Sequence, residues 1–172
     1  QPSLETERLI LSPLARADLP AMAALAGDKA VAERTANIPH PYGPDDAEAW
    51  YAARVEEAGE TVFAIRRRED GRILGCVGLV PPDEEEPMEL GFFLGRAFWG
   101  QGYMTEAARA AVDYVFGVLG EPLLQAGAFP DNRASLRIQE KLGMTAAGRV
   151  LRPAPQRGGD RLGHAARSAQ HE

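Results

Sequence analysis

The stretch FFLGRAFWGQGYMTEA, from Phe92 to Ala107, joins a predicted strand to a predicted helix through a glycine-rich turn. The first N–H groups of a helix have no intrahelical partners, and the helix dipole adds positive potential at that end. Glycines such as Gly100 and Gly102 allow a phosphate group to approach the backbone closely. The segment therefore predicts an anion site at the start of a helix.

The segment resembles two well-known phosphate-binding loop patterns but matches neither. The pattern G-x-G-x-x-G would need a glycine where Thr105 stands. The pattern G-x-x-x-x-G-K-S/T can start at Gly95 and reach Gly100, but Gln101 and Gly102 replace its lysine and hydroxyl residue. A dinucleotide fold would also need parallel βαβ units before the loop. These mismatches disfavour a plain nucleotide-binding protein.

The segments before and after this loop predict a mixed α/β fold. The run from Thr61 to Val80 has two β-rich stretches around Asp70-Gly71, a dipeptide that readily adopts the positive φ angles of a tight hairpin turn. Consecutive strands with short connections pair antiparallel, and the next strand is Met88 to Leu94. Two further strands are predicted, at Glu7 to Leu14 and at Leu123 to Phe129.

The same pass along the chain places the helices. Asp18 is the predicted N-cap of the first helix, and Gly43-Pro44 begins the second. The third follows Gly102, and a short fourth runs from Asn132 to a C-cap at Gly143. From Arg152 to Glu172 the sequence has little strand character and is typical of a loop or tail.

Composition limits the class of protein. The 172 residues are 45% hydrophobic and 26% charged, which predicts one globular domain spanning residues 1–172, with 151–172 as an atypical tail. A net charge of −6 argues against a nucleic-acid partner. A single cysteine, Cys76, and three separated histidines predict neither a disulfide nor a metal cluster. Without an apolar run of about 18 residues, we expect no membrane span and a cytoplasmic protein.

Four segments in order resemble the Gcn5-related N-acetyltransferase (GNAT) superfamily, and within it the branch of the ribosomal-protein N-terminal alanine acetyltransferases. Together they span most of the chain, from Glu5 to Gly148. The segments are ETERLIL at Glu5 to Leu11, IPHPYGPDDAEAW at Ile38 to Trp50, ELGFFLGRAFWGQGYMTEA at Glu89 to Ala107 and PDNRASLRIQEKLGM at Pro130 to Met144.

The resemblance implies a mixed, mostly antiparallel sheet that is flanked by helices and splayed between its fourth and fifth strands. It also implies acetyl-coenzyme A as acetyl donor, with no metal, and Asn132 as a contact to the donor. The pantetheine arm is expected in the gap, pairing with the backbone of Phe92, Phe93 and Leu94 like an added strand. The pyrophosphate is expected on the amides of Gly100, Gln101, Gly102, Tyr103, Met104 and Thr105.

The chain departs from the family pattern in three places. Trp99 stands where the wider superfamily often has Gln or Arg, and Met104 takes a position usually held by Gly or Ala. The third departure follows Val150, where the family supplies a last strand that this sequence does not predict. That strand is missing, or a partner chain supplies it, or the end of the reading frame is unusual.

Two residues are candidate catalysts by resemblance. Strand alternation places Glu89 on the face of Gly91 and Phe93, and many GNAT enzymes keep a glutamate near here that accepts the amine proton through water. The alternative is a solvated strand glutamate. Ser135 matches a serine proposed to protonate the leaving thiolate, and the alternative is a helix-surface hydroxyl. The superfamily's more frequent acid, a tyrosine, falls on Gln139.

The leading hypothesis is an enzyme that transfers acetyl directly to an amine, either a peptide N-terminus or a small molecule such as an amino sugar or polyamine. A non-catalytic acyl-coenzyme A sensor is the second hypothesis. His40 and Tyr42 lie in the stretch that borders the acceptor site in the family, and Cys76 is predicted to be a core residue rather than a nucleophile. The resemblance also leaves a homodimer open.

Overall fold

The computed structural model describes residues 1–35, 38–152 and 161–169, with side chains up to residue 146. The strands are β1 (Leu4–Glu5), β2 (Leu9–Pro13), β3 (Thr61–Arg67), β4 (Ile73–Val80), β5 (Met88–Leu94), β6 (Leu123–Ala128), β7 (Thr145–Arg152) and β8 (Arg161–Ala169). The helices are α1 (Leu19–Ala26), α2 (Lys29–Ala32), α3 (Pro44–Tyr51), α4 (Tyr103–Tyr114) and α5 (Arg133–Lys141). Wider π-helical turns extend α3 over Ala52–Glu57 and α4 over Val115–Leu119.

The strands form one sheet in the order β1-β2-β3-β4-β5-β6-β8-β7. Every neighbouring pair is antiparallel except β5 and β6, which run parallel. Their register covers only Met88 to Leu90 against Leu124 to Ala126, after which the two strands part. This confirms the predicted fold class and the splayed sheet. The predicted fourth and fifth strands are β5 and β6 because the short β1 was not predicted.

Turn chemistry explains why the central hairpin forms where the sequence predicts it. Gly71 has φ of 71°, and the Asp70 carboxylate accepts hydrogen bonds from the Arg67 guanidinium at 2.6 and 3.0 Å. The backbone N–H of Arg72 also donates to Asp70, at 3.2 Å. Together these contacts hold the pKa of Asp70 at about 2, so its charge persists at any physiological pH.

Helices cover both faces of the sheet. On one face, α4 packs against residues from β2 to β6, including Leu90 and Leu94. On the other, α1 and α3 pack over a smaller cluster that includes Cys76, with Phe93 against it. Burial raises the pKa of the Cys76 thiol to about 12, which agrees with a core role rather than a nucleophilic one. The strand β5 therefore presents Phe93 and Leu94 to opposite faces, as strand alternation predicts.

The structure corrects one prediction and qualifies another. Residues Arg161 to Ala169, predicted to be part of a loop or tail, form β8, which pairs with both β6 and β7. The chain thus supplies its own last strand, while residues 153–160 and 170–172 lie outside the described residues. Asp18 is the N-cap residue of α1 as predicted, but its side chain makes no hydrogen bond that caps the helix. Its carboxylate instead accepts the Ala15 N–H at 3.0 Å and pairs with Arg66 at 2.8 Å.

Candidate active site

The first component of the site is the gap that opens between β5 and β6. Because their pairing ends at Leu90 and Ala126, the next residues of β5 border the gap without a β6 partner in register. Phe92 and Phe93 lie in this stretch, half-buried and on opposite faces of the sheet. The Leu94 carbonyl accepts the indole N–H of Trp99 at 2.7 Å, which gives that unusual tryptophan a structural role.

The second component is the glycine turn before α4. Gly102 is the N-cap residue, with φ of 79° and ψ of 3°, and no side chain caps the helix. Gly100 has φ of 75°, and a Cβ built there would meet nothing within 4 Å. Tyr103 and Met104 turn their side chains into the core, where Met104 is 5% exposed. Gly100 therefore leaves the backbone of the turn open, and the first amides of α4 have no intrahelical acceptors.

Arg8, which was not anticipated from the sequence, fixes this turn from the opposite side. Its Nη1 donates to the Gln101 carbonyl at 2.9 Å, and its guanidinium stacks on the Tyr103 ring at 4.4 Å. Its Nε donates to Glu106 at 2.7 Å. Arg8 lies within the quoted ETERLIL segment, but no local pattern links it to a loop 93 residues away.

Glu106, in the first turn of α4, completes this network. Burial opposes its charge, but hydrogen bonds from the Thr6 hydroxyl at 2.6 Å and the Arg8 N–H at 2.8 Å outweigh it. The net effect lowers the pKa of Glu106. Beside this network, Gly102 and Thr105 border an open cavity of about 520 Å³, together with Arg109 and Lys141. The turn and the start of α4 are thus held by the Arg8, Thr6 and Glu106 contacts, and they remain accessible from the open cavity.

Glu89 lies at the other end of β5, opposite Val80 on β4 and Gln125 on β6. It is half-buried on the α1/α3 face, where its charge reaches Glu60. Glu60 is 8% exposed and forms an ion pair with Arg54. Burial raises the pKa of Glu60, the Arg54 charge opposes that rise, and the Glu89 charge adds to it. The carboxylates of Glu60 and Glu89 thus lie near each other at one end of the sheet. Glu60 was not anticipated from the sequence.

Asn132 and Ser135 lie together at the start of α5, on the far side of the gap. The Asn132 side chain caps α5 by accepting the Ser135 N–H at 3.2 Å, as predicted, and donates to the Arg34 carbonyl at 3.2 Å. The half-buried Ser135 hydroxyl accepts a hydrogen bond from Nε2 of Gln139, one turn later in α5, at 3.5 Å. Gln139 is 2% exposed, and its Oε1 has no hydrogen-bond partner among the described residues.

An apolar cavity of about 180 Å³ lies on the α1/α3 face beside Phe93. Its polar side chains are Tyr42 and Asp46, and burial together with the Asp46 charge raises the pKa of Tyr42 to about 12. His40 does not line the cavity, although its neighbours Pro39 and Tyr42 do. The lining residues are Leu19, Met22, Ala26, Ile38, Pro39, Tyr42, Asp46, Ala47, Ala49, Trp50 and Phe93.

Solved structures share this fold over nearly the whole chain. An acetyltransferase from Agrobacterium tumefaciens str. C58 matches with a TM-score of 0.78 and 29% identity, covering 99% of this chain and 95% of its own. The ribosomal-protein-S5-alanine acetyltransferase of Vibrio fischeri matches with a TM-score of 0.82 at 16% identity, covering 100% and 98%. The Vibrio cholerae spermidine N-acetyltransferase, solved with CoA and spermine, has a TM-score of 0.81 at 18% identity, covering 96% and 97%. The last two likenesses show the fold alone.

Sequence comparison gives the family. The Bacillus subtilis protein YkkB is 36% identical over 97 residues, which is 55% of this chain and 56% of YkkB. The chain therefore aligns with only about half the length of that relative. No helix among the described residues is long and apolar enough to cross a membrane. Residues 8–145 match the family described as acetyltransferase (GNAT) domain, and the chain belongs to the GNAT acetyltransferases.

Proposed function

We propose that the protein is an N-acetyltransferase that moves an acetyl group from acetyl-coenzyme A directly to a primary amine. The observation that carries the proposal is the early end of the β5–β6 pairing, followed on the same chain by a left-handed glycine and a helix start. The gap offers unpaired strand backbone, and the helix start offers amides and positive potential. The two features suit the extended arm and the pyrophosphate of one ligand.

The donor is expected to bind along β5, at the glycine turn and at the start of α5. The backbone of Phe92, Phe93 and Leu94 would bind the pantetheine arm, although the Leu94 carbonyl already accepts one hydrogen bond from Trp99. The amides from Gly100 to Thr105 would bind the pyrophosphate. Asn132 would approach from α5, where both ends of its amide are engaged by backbone groups in the structure. When bound, acetyl-coenzyme A supplies an activated acyl group with a thiolate leaving group.

Glu89 is the proposed proton acceptor. An aliphatic amine resembles lysine, with a pKa near 10.4, so it reaches the site mainly as the unreactive cation at neutral pH. A half-buried carboxylate beside the closed end of the gap, one residue before the β5–β6 pairing ends, attracts that cation and can take its proton through a water molecule. The neighbouring Glu60 forms an ion pair with Arg54 that offsets its charge, so we assign the attraction of the amine at this end of β5 to Glu89.

Ser135 is the proposed proton donor to the leaving thiolate. Its backbone is fixed by the Asn132 cap, and its hydroxyl lies in the first turn of α5. Gln139 occupies the family's tyrosine position, and an amide cannot give up a proton. A thiol with a pKa of about 8.5, similar to that of cysteine, can also leave as a thiolate without assistance.

A release assay for the coenzyme A thiol, run across a panel of peptides and small amines, tests the proposal. Turnover with any primary amine supports an enzyme. Saturable binding of acetyl-coenzyme A without thiol release from any amine in the panel would instead support an acyl-coenzyme A sensor. Gln139 is the observation that favours that second candidate. A missing last strand would also have favoured a sensor, but the chain forms β8.

A further inference from the structure

Two glycines open the sheet face between Glu89 and Phe93. Gly91 on β5 and Gly78 on β4 are register partners, and neither has a positive φ. A Cβ at Gly91 would meet nothing within 4 Å, and one at Gly78 would meet only Val62 at 3.8 Å and the Gly91 carbonyl at 4.0 Å. Backbone conformation therefore does not require glycine at either position. A glycine inside a strand often marks a place where a ligand approaches closely, and Gly91 is exposed.

The open strand surface at Gly91 lies between an acidic side chain, Glu89, and an apolar side chain, Phe93. Glu89 precedes Gly91 by two residues on the same face, and Phe93 follows it by two. At about 3.3 Å per residue, Glu89 and Phe93 each lie roughly 7 Å from Gly91 along the strand. Phe93 is also part of the lining of the 180 Å³ cavity between α1 and α3. An amine over Gly91 would thus face a carboxylate on one side and an apolar cavity on the other.

The size and lining of the cavity limit its occupant. An apolar cavity of about 150 Å³ is known to accept one benzene ring, so a cavity of 180 Å³ has room for one ring or one branched alkyl group. Leu19, Met22, Ala47, Trp50 and Phe93 contribute only apolar surface and the Trp50 indole. A sugar ring would bury several hydroxyl groups there, where Tyr42, Asp46 and the Trp50 indole are the polar side chains of the lining. A polyamine would place a second cation among mostly apolar side chains, and the Asp46 carboxylate, the one acidic group among the described lining residues, already accepts the Gly43 N–H at 2.8 Å. Both are poor occupants.

We propose that the acceptor is a primary amine that carries one apolar, ring-sized group two to four bonds from the nitrogen. The amine lies over Gly91, and the apolar group fills the cavity between α1 and α3. A free alkylamine and the N-terminus of a peptide that begins with a large apolar residue both have this chemistry. The inference rests on the proposed function, since it places the amine beside the gap expected to hold the donor.

Thiol release from acetyl-coenzyme A, measured with matched amines on the whole protein, tests the inference. Ethylamine and 2-cyclohexylethylamine have similar basicity and differ in the apolar group. Burial of a group of that size predicts a kcat/KM about 10- to 100-fold higher for 2-cyclohexylethylamine. If the acceptor is a peptide N-terminus, kcat/KM should likewise be higher for Phe-Gly-Gly than for Gly-Gly-Gly. Whichever of 2-cyclohexylethylamine and Phe-Gly-Gly has the higher kcat/KM shows whether the acceptor is a free alkylamine or a peptide N-terminus.

Filling the cavity should remove this preference. Ala49 lines the cavity from the exposed side of α3, so Ala49→Phe can fill the space without replacing a core residue. The variant should lower kcat/KM for 2-cyclohexylethylamine at least 10-fold and change that for ethylamine by less than about threefold. Ala49→Leu should give an intermediate loss. Ala53→Phe, an exposed position outside the cavity lining, is the matched control and should leave both substrates unchanged.

The outcomes separate the inference from the function on which it rests. Preferred turnover of glucosamine or spermidine, with no gain from the cyclohexyl group, would overturn the inference and leave the acetyltransferase intact. Equal losses for both amines in Ala49→Phe would also overturn it, because the cavity would then not hold the apolar group. No thiol release from any amine would overturn the proposed function itself.

Discussion

Replacing Gly102 with aspartate should weaken acetyl-coenzyme A binding, with Gly102→Asn as the control of equal size and shape. Gly102 has φ of 79°, a left-handed conformation that costs an ordinary L residue about 1–2 kcal/mol and that Asn and Asp tolerate best. For a chain of 172 residues, about 1 kcal/mol lowers Tm by roughly 2–4 °C. Both variants should therefore lose a similar few degrees without ligand.

The two variants should differ only when the donor is present. A carboxylate about 4 Å from a phosphate charge is repelled by about 1 kcal/mol in water and about 4 kcal/mol at an effective dielectric constant near 20. Arg8 Nη2 lies 3.4 Å from the Cβ position and will offset part of this repulsion. We expect an intermediate effect, with Kd for Gly102→Asp about 10- to 100-fold above that for Gly102→Asn.

Thermal unfolding with and without acetyl-coenzyme A measures the difference. A ligand at 100 times Kd stabilises the native state by about 2.7 kcal/mol, and at one Kd by only about 0.4 kcal/mol. The donor, at 100 times the Kd of the asparagine variant, should thus raise Tm of that variant by several degrees. The rise for the aspartate variant should be about 3–6 °C if its Kd is 10-fold higher and about 1–2 °C if it is 100-fold higher. Added salt should reduce the difference between the two Tm rises, because it screens the repulsion between the carboxylate and the phosphate. Equal rises in two folded variants would refute the assignment of the turn to the pyrophosphate.

Three further predictions concern single side chains. Glu89→Gln should lower turnover at least about 10-fold at pH 7 and recover in part at high pH, where the amine arrives deprotonated; an unchanged rate from about pH 6 to 10 would return Glu89 to a solvated strand residue. Ser135→Ala should lower kcat about 10²-fold or more with little change in donor affinity, and a loss below about threefold would imply an unassisted thiolate. Glu106→Gln should lower Tm at pH 7, because the lowered pKa of Glu106 reflects stabilisation of its charged form by Thr6 and Arg8. That stabilisation is present above the unfolded pKa of about 4.3 and is lost as pH falls through the folded pKa, so a Tm difference that does not shrink in acid would contradict it.

Local patterns predicted the elements that local chemistry specifies. The β3–β4 hairpin follows from Asp70-Gly71, and Gly143, with φ of 82°, ends α5 as expected of a C-cap glycine. The strand, turn and helix from Met88 onward were predicted within a few residues because alternation changes to helical periodicity across a glycine turn. The family resemblance, rather than the pattern alone, supplied the splay between β5 and β6.

Elements that depend on long-range contacts were not predictable in the same way. The β8 sequence RLGHAARSA is rich in Ala and Arg, and it forms a strand because two strands already flank it. Strand formation by such residues reflects pairing and context more than intrinsic preference. Arg8 and Glu60 act through partners distant in sequence or through burial, and no spacing rule identifies them. The apolar cavity combines α1, α3, the segment before α3 and β5, so it exists only once these are packed together.

The short parallel junction between β5 and β6 has a consequence for the opening of the native state. Only three residue pairs in register join β6, β8 and β7 to the remainder of the sheet. Segments with little shared backbone pairing tend to open as separate cooperative units, at a free energy below that of global unfolding. Amide protons in β6 and β8 should therefore exchange with solvent faster than those in β3 and β4 when no donor is bound. A ligand arm paired with β5 in the gap would couple the two units, and protection in β6 and β8 would then rise toward that of the central hairpin.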